Sequence, residues 1–108
     1  MDQIEVQQTL MASVPYTVVN NREASRFEVD LDGELAVLEY TERAHLIDLR
    51  HTEVPPALAG HGVGGALAAA ALEYANQTGK RVVPSCPFVR AYMKKKGLIP
   101  PEEKAPGD

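Results

Sequence analysis

Hydrophobic and polar residues alternate along the first half of the chain, a pattern that predicts β-strands. A short run at 16–20 predicts one strand, which a pair of asparagines closes. Apolar residues then alternate with polar ones over 27–31 and again over 34–40. Asp32-Gly33 lies between these two runs and predicts a two-residue hairpin turn, because both central positions of that turn need a positive φ.

A third run, at 44–54, begins apolar and ends polar. Its nominal face carries two apolar residues and then two polar ones, in the order Ile47, Leu49, His51 and Glu53. We therefore expect the far end of this strand to leave the core or to carry a bulge. A double proline follows and ends the run, since proline lacks the amide donor that a ladder needs.

The period changes to three or four residues over 61–78, which predicts a helix that Gly79 closes in a left-handed cap. A short strand at 81–84 and a second helix at 87–95 follow, the latter opened by a proline. The order is an antiparallel meander and then a strand–helix–strand unit. It predicts an α/β (α+β layered) domain in which a right-handed crossover joins two parallel strands.

The same pattern sets the predicted domain limits. Residues 1–15 show no clear period and are predicted to be an N-terminal extension. Residues 16–97 are predicted to form one domain, because a chain of 108 residues has no room for a second core. The proline-containing tail, 98–108, is predicted to be disordered.

Composition narrows the classes of function. A net charge of −4 and a pI near 5.3 argue against a nucleic-acid partner. No run approaches the ~20 apolar residues that cross a bilayer, so we expect no membrane partner. One cysteine, Cys86, cannot form an internal disulfide, which favours a reducing cytoplasm. The histidines His45, His51 and His61 stand on different elements, so we expect no metal site.

A glycine-rich turn at 60–65 comes directly after a strand and opens a helix. The first amides of a helix lack internal partners and carry partial positive charge, so they bind phosphate or pyrophosphate. The turn is not a P-loop, because Gly65 and Ala66 stand where Lys and Ser or Thr are needed. A dinucleotide fold is disfavoured too, since no acidic residue follows about 20 positions later. The alternative is a turn that only packs a helix tightly on the sheet.

Three segments resemble motifs of one family: HTEVP at 51–55, GHGVGG at 60–65 and VVPSCPFV at 82–89. Together they are similar to the small single-domain branch of the GNAT superfamily of acyl-CoA N-acyltransferases. The resemblance implies that the two parallel strands splay apart and that the pantetheine arm of acetyl-CoA pairs with their exposed backbone. It also implies the residues that bind the cofactor: Thr52, Val54, Gly60, His61, Gly62, Val63, Gly64 and Gly65.

Acyl transfer to an amine requires protonation of the departing thiolate. In many GNAT enzymes a tyrosine of the last helix does this, but the matching position here is Met93, one residue after Tyr92. Cys86 is a second candidate because a helix N-terminus favours a thiolate; the alternative is a buried, inert cysteine. His51 and Glu53 are candidate bases or else solvated residues at a strand end.

These features predict an acetyl-CoA-dependent N-acetyltransferase that acts on an amine of a small molecule or protein, as a monomer or homodimer. One alternative is a coenzyme A-binding module with little catalysis, suggested by Ala59, where the superfamily motif usually has Arg or Gln. The other is a small interaction domain whose glycine turn is purely structural.

Overall fold

Within residues 16–99, five strands form one sheet in which every strand lies beside its neighbour in the chain. The computed structural model describes residues 16–99, so the predicted extension at 1–15 and all but two residues of the predicted tail lie outside it. The strands are β1 (Val19–Asn21), β2 (Arg26–Leu31), β3 (Glu34–Glu42), β4 (Leu46–Glu53) and β5 (Arg81–Val83).

The first strand differs from the prediction at both ends. β1 begins three residues later than predicted, and Asn21 belongs to the strand because it pairs with Arg26. The turn follows it, closed by a hydrogen bond from the amide of Ser25 to the carbonyl of Arg22 at 3.2 Å. The side chain of Asn21 accepts a hydrogen bond from the amide of Ala24 at 3.1 Å, so it stabilises the turn from within the strand.

The predicted hairpin between β2 and β3 is confirmed. Asp32 and Gly33 have φ values of 55° and 79°, as a two-residue turn of this kind requires. The antiparallel ladder runs from the Leu31–Glu34 pair to the Arg26–Glu39 pair. In this ladder Phe27 and Val29 face the core, where both are almost fully buried.

A bulge in β4 confirms one of the two outcomes expected for the far end of this strand. Tyr40 of β3 pairs with Leu49, whereas Glu39 pairs with His51, so Arg50 is an extra residue in β4. The extra residue reverses the alternation of side chains beyond it. His51 and the residues that alternate with it therefore do not share a face with Ile47 and Leu49, although strict alternation had placed them together. Thr52 takes the core-facing position instead.

The pairing between the parallel strands β4 and β5 covers only the first part of β4. Its ladder ends at the Asp48–Val83 pair, while β4 continues to Glu53. One further hydrogen bond joins the two chains, from the amide of Cys86 to the carbonyl of Leu49 at 2.8 Å. Beyond this point the edge of β4 has no strand beside it within residues 16–99, which confirms the expected splay of the parallel strands.

In the described part of the chain, two α-helices pack on the sheet, α1 (Val63–Thr78) and α2 (Pro87–Lys95), after a single 3-10 turn at Pro56–Leu58. The bounds of α2 match the prediction, whereas α1 begins two residues later than predicted because Gly62 is left-handed, with a φ of 75°. Gly79 closes α1 in the predicted left-handed cap, with a φ of 70°.

One buried cluster joins the helices to the sheet. It includes Leu67 and Ala71 of α1, Val89 of α2 and Leu49 of β4, each with no measurable exposure. The fully buried alanines let α1 approach the sheet closely. At the end of the described chain, Ile99 packs against this cluster and the amide of Leu98 donates to the carbonyl of Met93.

Candidate active site

The glycine turn presents free amides beyond the end of β4. Gly60 and Gly62 are left-handed, with φ values of 83° and 75°, and they bend the chain into α1. The first helical hydrogen bond at this end runs from the amide of Ala66 to the carbonyl of Gly62 at 3.0 Å. The amides of residues 63–65 precede that bond and so have no intrahelical partner, which makes them available to an anion.

Tyr16 anchors this turn from the start of the described chain. Its hydroxyl donates to the carbonyl of His61 at 3.0 Å, and the side chain is 9% exposed. Burial raises the pKa of Tyr16 above its ordinary value, so the hydroxyl keeps the proton that it donates. The side chain of His61 is exposed, whereas that of Val63 is buried and leaves only its amide to a ligand.

The four glycines of the turn are not equivalent. A Cβ atom on Gly60 would meet nothing within 4 Å, but one on Gly64 would lie 2.8 Å from Cζ of Phe88. A Cβ atom on Gly65 would lie 3.6 Å from Cε1 of Tyr92. Gly64 and Gly65 therefore lie against α2, and the packing interpretation applies to Gly64, although its neighbour is a helix and not the sheet.

Cys86 lies where β4 and β5 part, at the N-cap of α2. Its side chain is 4% exposed, and its sulfur lies 3.4 Å from the hydroxyl oxygen of Thr52. The Cys86 side chain makes no cap hydrogen bond to α2, but it lies next to the first amides of that helix. Burial raises the pKa of Cys86, yet the Thr52 hydroxyl, the amides of Val89 and Phe88 and the Thr52 amide outweigh it, so the pKa is lowered.

His51 and Glu53 lie on the opposite face of the sheet from Cys86. They form a pair with 3.5 Å between Nε2 of His51 and Oε1 of Glu53, and their side chains are 56% and 73% exposed. The structure therefore brings these two candidate bases together but separates them from Cys86 by the thickness of β4. The bulge causes this separation. Strict alternation of side chains along β4 would instead have placed His51 and Glu53 on the core side.

Tyr92 and Met93 take different positions on α2. Met93 is 6% exposed and belongs to the core, so the position that matches the tyrosine of many GNAT enzymes holds a packing residue. Tyr92 is partly buried beside Gly65, with the ammonium of Lys96 5.5 Å from its ring centre. Val54, the remaining predicted cofactor contact, is partly buried against the core just beyond β4.

Two contacts of this region were not predicted from the sequence. The family resemblance implies only a cofactor contact for Thr52, and the structure adds a contact with Cys86. The sequence pattern gives Phe88 no role, yet its ring is 44% exposed and lies over Gly64.

Two kinds of feature are absent from the described residues. In the segment 16–99, no three His, Cys, Asp or Glu side chains are grouped so that they could hold a metal ion. Neither helix of that segment is long and apolar enough to span a bilayer.

The arrangement defines a class of protein. A five-stranded mixed sheet, parting beside a helix that opens on a glycine turn, is consistent with the GNAT-like fold. A model of the family described as GCN5-related N-acetyl-transferase matches residues 26–98. The chain therefore belongs to the GCN5-related N-acetyltransferase family.

Curated proteins named Protein NATD1 are similar over most of the chain. Those of Mus musculus and Homo sapiens are each 35% identical over 88 residues, which is 78% of this chain and 79% and 77% of theirs. That of Xenopus tropicalis is 34% identical over 85 residues, covering 75% of this chain and 77% of its own.

Proposed function

We propose that this protein is an acetyl-CoA-dependent N-acetyltransferase. The observation that carries the proposal is the row of free amides at 63–65, which opens α1 beside the unpaired edge of β4. A pyrophosphate at the amides and a pantetheine arm along that edge would use backbone groups that no helix or strand of residues 16–99 pairs with. Membership of the acetyltransferase family supports the same ligand.

In this proposal Cys86 is the group that reacts with the thioester. A thiol with a lowered pKa is more often ionised, which suits a nucleophile better than a general acid. The Cys86 thiolate attacks the acetyl carbonyl and forms an S–C bond. The C–S bond to coenzyme A then breaks, and its thiolate takes a proton from solvent.

The second half of the reaction regenerates the cysteine. A neutral primary amine attacks the acetyl-cysteine carbonyl, forms the amide and releases the Cys86 thiolate, while the amine loses one proton. His51 and Glu53 lie near the same end of β4, exposed on its other face, and act as the base through water. We propose that the acceptor is an amine of a small molecule or a protein, and that the enzyme works in the cytoplasm as a monomer or homodimer.

One observation favours a second candidate, a coenzyme A-binding module with little catalysis. Cys86 is only 4% exposed, and a buried thiol reacts slowly unless the site opens. Turnover separates the two candidates. The enzyme consumes acetyl-CoA when it is supplied with a panel of primary amines, whereas the module binds coenzyme A and transfers nothing.

The binding test compares two glycines at opposite ends of α1. Gly62→Val and Gly79→Val both place a β-branched residue where φ is near 70–75°, so both strain the backbone. We expect a similar loss of stability in both variants. Calorimetry with acetyl-CoA should show binding in the unsubstituted protein and in Gly79→Val, but a loss of at least about 100-fold in Gly62→Val. No binding at millimolar acetyl-CoA in the unsubstituted protein would refute the proposed function.

A further inference from the structure

Thr52 reaches Cys86 only because β4 carries an extra residue. In the ladder Leu38 pairs with Thr52, and Leu38 is a fully buried core residue. Paired residues of adjacent strands point to the same face, so Thr52 points towards the core side of the sheet. Without the bulge at Arg50, this position would carry its side chain on the opposite face.

The contact to Cys86 uses two groups of the same residue. The hydroxyl oxygen of Thr52 lies 3.4 Å from the sulfur, and the Thr52 amide also acts on the thiol. That amide belongs to the edge of β4 that no strand covers within the described chain. The thiol thus lies between the edge of β4 and the start of α2.

We propose that Thr52 is a positioning residue for Cys86, whose hydroxyl fixes the sulfur at the N-terminus of α2 and donates a hydrogen bond to it when it is ionised. The proposal rests on the proposed function, in which Cys86 reacts with the thioester. It adds a role for Thr52 that is separate from contact with the cofactor.

Threonine suits this role for two physical reasons. Its side chain is branched at Cβ and therefore stiff about χ1, which fixes the direction of the hydroxyl. A hydrogen bond to a charged acceptor is about twice as strong as one between neutral groups, so the hydroxyl stabilises the thiolate more than the thiol. No side-chain charge of residues 16–99 is among the influences on the sulfur, so the hydroxyl has no stronger competitor there.

Three variants test the proposal without any cofactor. Thr52→Val keeps the shape and removes the hydroxyl, Thr52→Ser keeps the hydroxyl, and Thr41→Val makes the same change on the other face of the sheet. For each protein, the ultraviolet absorbance of the thiolate and the rate of iodoacetamide labelling of Cys86 are followed against pH.

The expected results separate the hydroxyl from packing. In Thr52→Val the midpoint for ionisation moves to higher pH, and labelling below that midpoint slows by about three- to ten-fold. Thr52→Ser restores both properties, and Thr41→Val leaves both unchanged. The proposal is overturned by an unchanged midpoint in Thr52→Val, by Thr52→Ser behaving like Thr52→Val, or by an equal shift in Thr41→Val.

The titration is independent of acetyl transfer. If no amine is acetylated but Thr52→Val shifts the midpoint, the proposed function fails and the contact stands. If acetyl transfer occurs and the midpoint is the same in all variants, the role of Thr52 fails alone. In an active enzyme, the pH profile of kcat should shift in the same direction as the midpoint.

Discussion

The two ends of the sheet differ in how their polar groups are satisfied. At the end where β4 stops, the amides of residues 63–65 have no backbone hydrogen bond among residues 16–99, and no strand covers the edge of β4 beyond its pairing with β5. At the opposite end, side chains from four segments form a connected network. Both ends are rich in polar groups, so polarity alone does not distinguish a site from a scaffold.

The opposite end is organised around Glu42. Its carboxylate accepts a hydrogen bond from the hydroxyl of Tyr74 at 2.7 Å and lies 3.6 Å from the ammonium of Lys80. Lys80 also donates to the carbonyls of Arg43 and Ala44. These contacts join the last turns of α1 to the turn between β3 and β4.

A second branch joins the first strand to the same end. The hydroxyl of Tyr40 donates to Oδ1 of Asn20 at 2.7 Å, and the rings of Phe27, Tyr40 and Tyr74 pack with centroids 5.3 to 6.4 Å apart. We infer that the Glu42 network holds the fold at its end of the sheet, while the free amides at the other end are left for a ligand. The buried Oδ1 of Asp48 is an exception at the network end, because it has no hydrogen-bond partner among residues 16–99. The comparison makes the effects of substitutions at the two ends qualitatively different.

The largest expected effect is on turnover at the open end of the sheet, which is the end where β4 stops. Cys86→Ala should lower kcat by about ten- to a thousand-fold and leave coenzyme A affinity nearly unchanged, because an interaction of the transition state is lost. Tyr92→Phe removes one hydroxyl and should cost less. Steady-state kinetics with calorimetric affinities measure both. Full activity in Cys86→Ala with a large loss in Tyr92→Phe would return the chemistry to the tyrosine.

The next effect is on stability at the closed end of the sheet, which is the end with the Glu42 network. Glu42→Ala removes the partner of both Tyr74 and Lys80, and we expect a loss of about 1–3 kcal/mol in the free energy of unfolding. Glu34→Ala, at the exposed start of the same strand, is the control and should change little. Urea denaturation measures both. A drop in coenzyme A affinity without a drop in stability would show that the two ends are coupled.

A smaller effect tests whether Gly64 serves packing. Gly64→Ala forces the new Cβ against the Phe88 ring, which offsets the helix-stabilising gain of about 0.5–1 kcal/mol that alanine otherwise brings. In a Phe88→Ala background the clash is gone, and the same substitution should stabilise the protein. Thermal unfolding of the unsubstituted protein, the two single variants and the double variant completes a double-mutant cycle. Identical effects in both backgrounds would mean that the ring moves aside at no cost.

The smallest expected effect is a loss of stability at alkaline pH. The hydrogen bond to Glu42, burial and the Glu42 charge raise the pKa of Tyr74 above its ordinary value. The folded protein then holds a phenol proton that the unfolded chain loses, so stability should fall as the pH rises above about 10. Tyr74→Phe should fall less steeply over that range, as measured by urea unfolding at successive pH values. An equal slope would remove Tyr74 from the closed-end network.

The sequence correctly predicted those turns and helix limits that are determined by residues close to them in the chain. The hairpin depends on Asp32-Gly33, and the helix limits on Gly79 and the proline at 87, all within one turn of the feature that they determine. The start of β1 was predicted less well because its limits depend on pairing with β2. Pairing between strands is a tertiary property, which the pattern of one strand alone does not contain.

The site was predictable only as a set of residues, not as an arrangement. The far end of β4 was expected to leave the core or bulge, yet the position of the extra residue decides which side chains meet. A shift of one residue exchanges His51 for Thr52 as the neighbour of Cys86. The contact of Gly64 with Phe88 depends on how α1 and α2 approach each other, which no spacing within either helix encodes.

The order of strands in the sheet has a consequence for how the chain folds. Because β1 to β4 pair with their immediate neighbours in sequence, these contacts close short loops and are expected to form early. The β4–β5 pairing must wait for a crossover that spans α1. The contacts around Cys86 are therefore expected to form in the latest step of folding, and a nascent chain carries this thiol exposed until α2 has been synthesised and has docked together with β5.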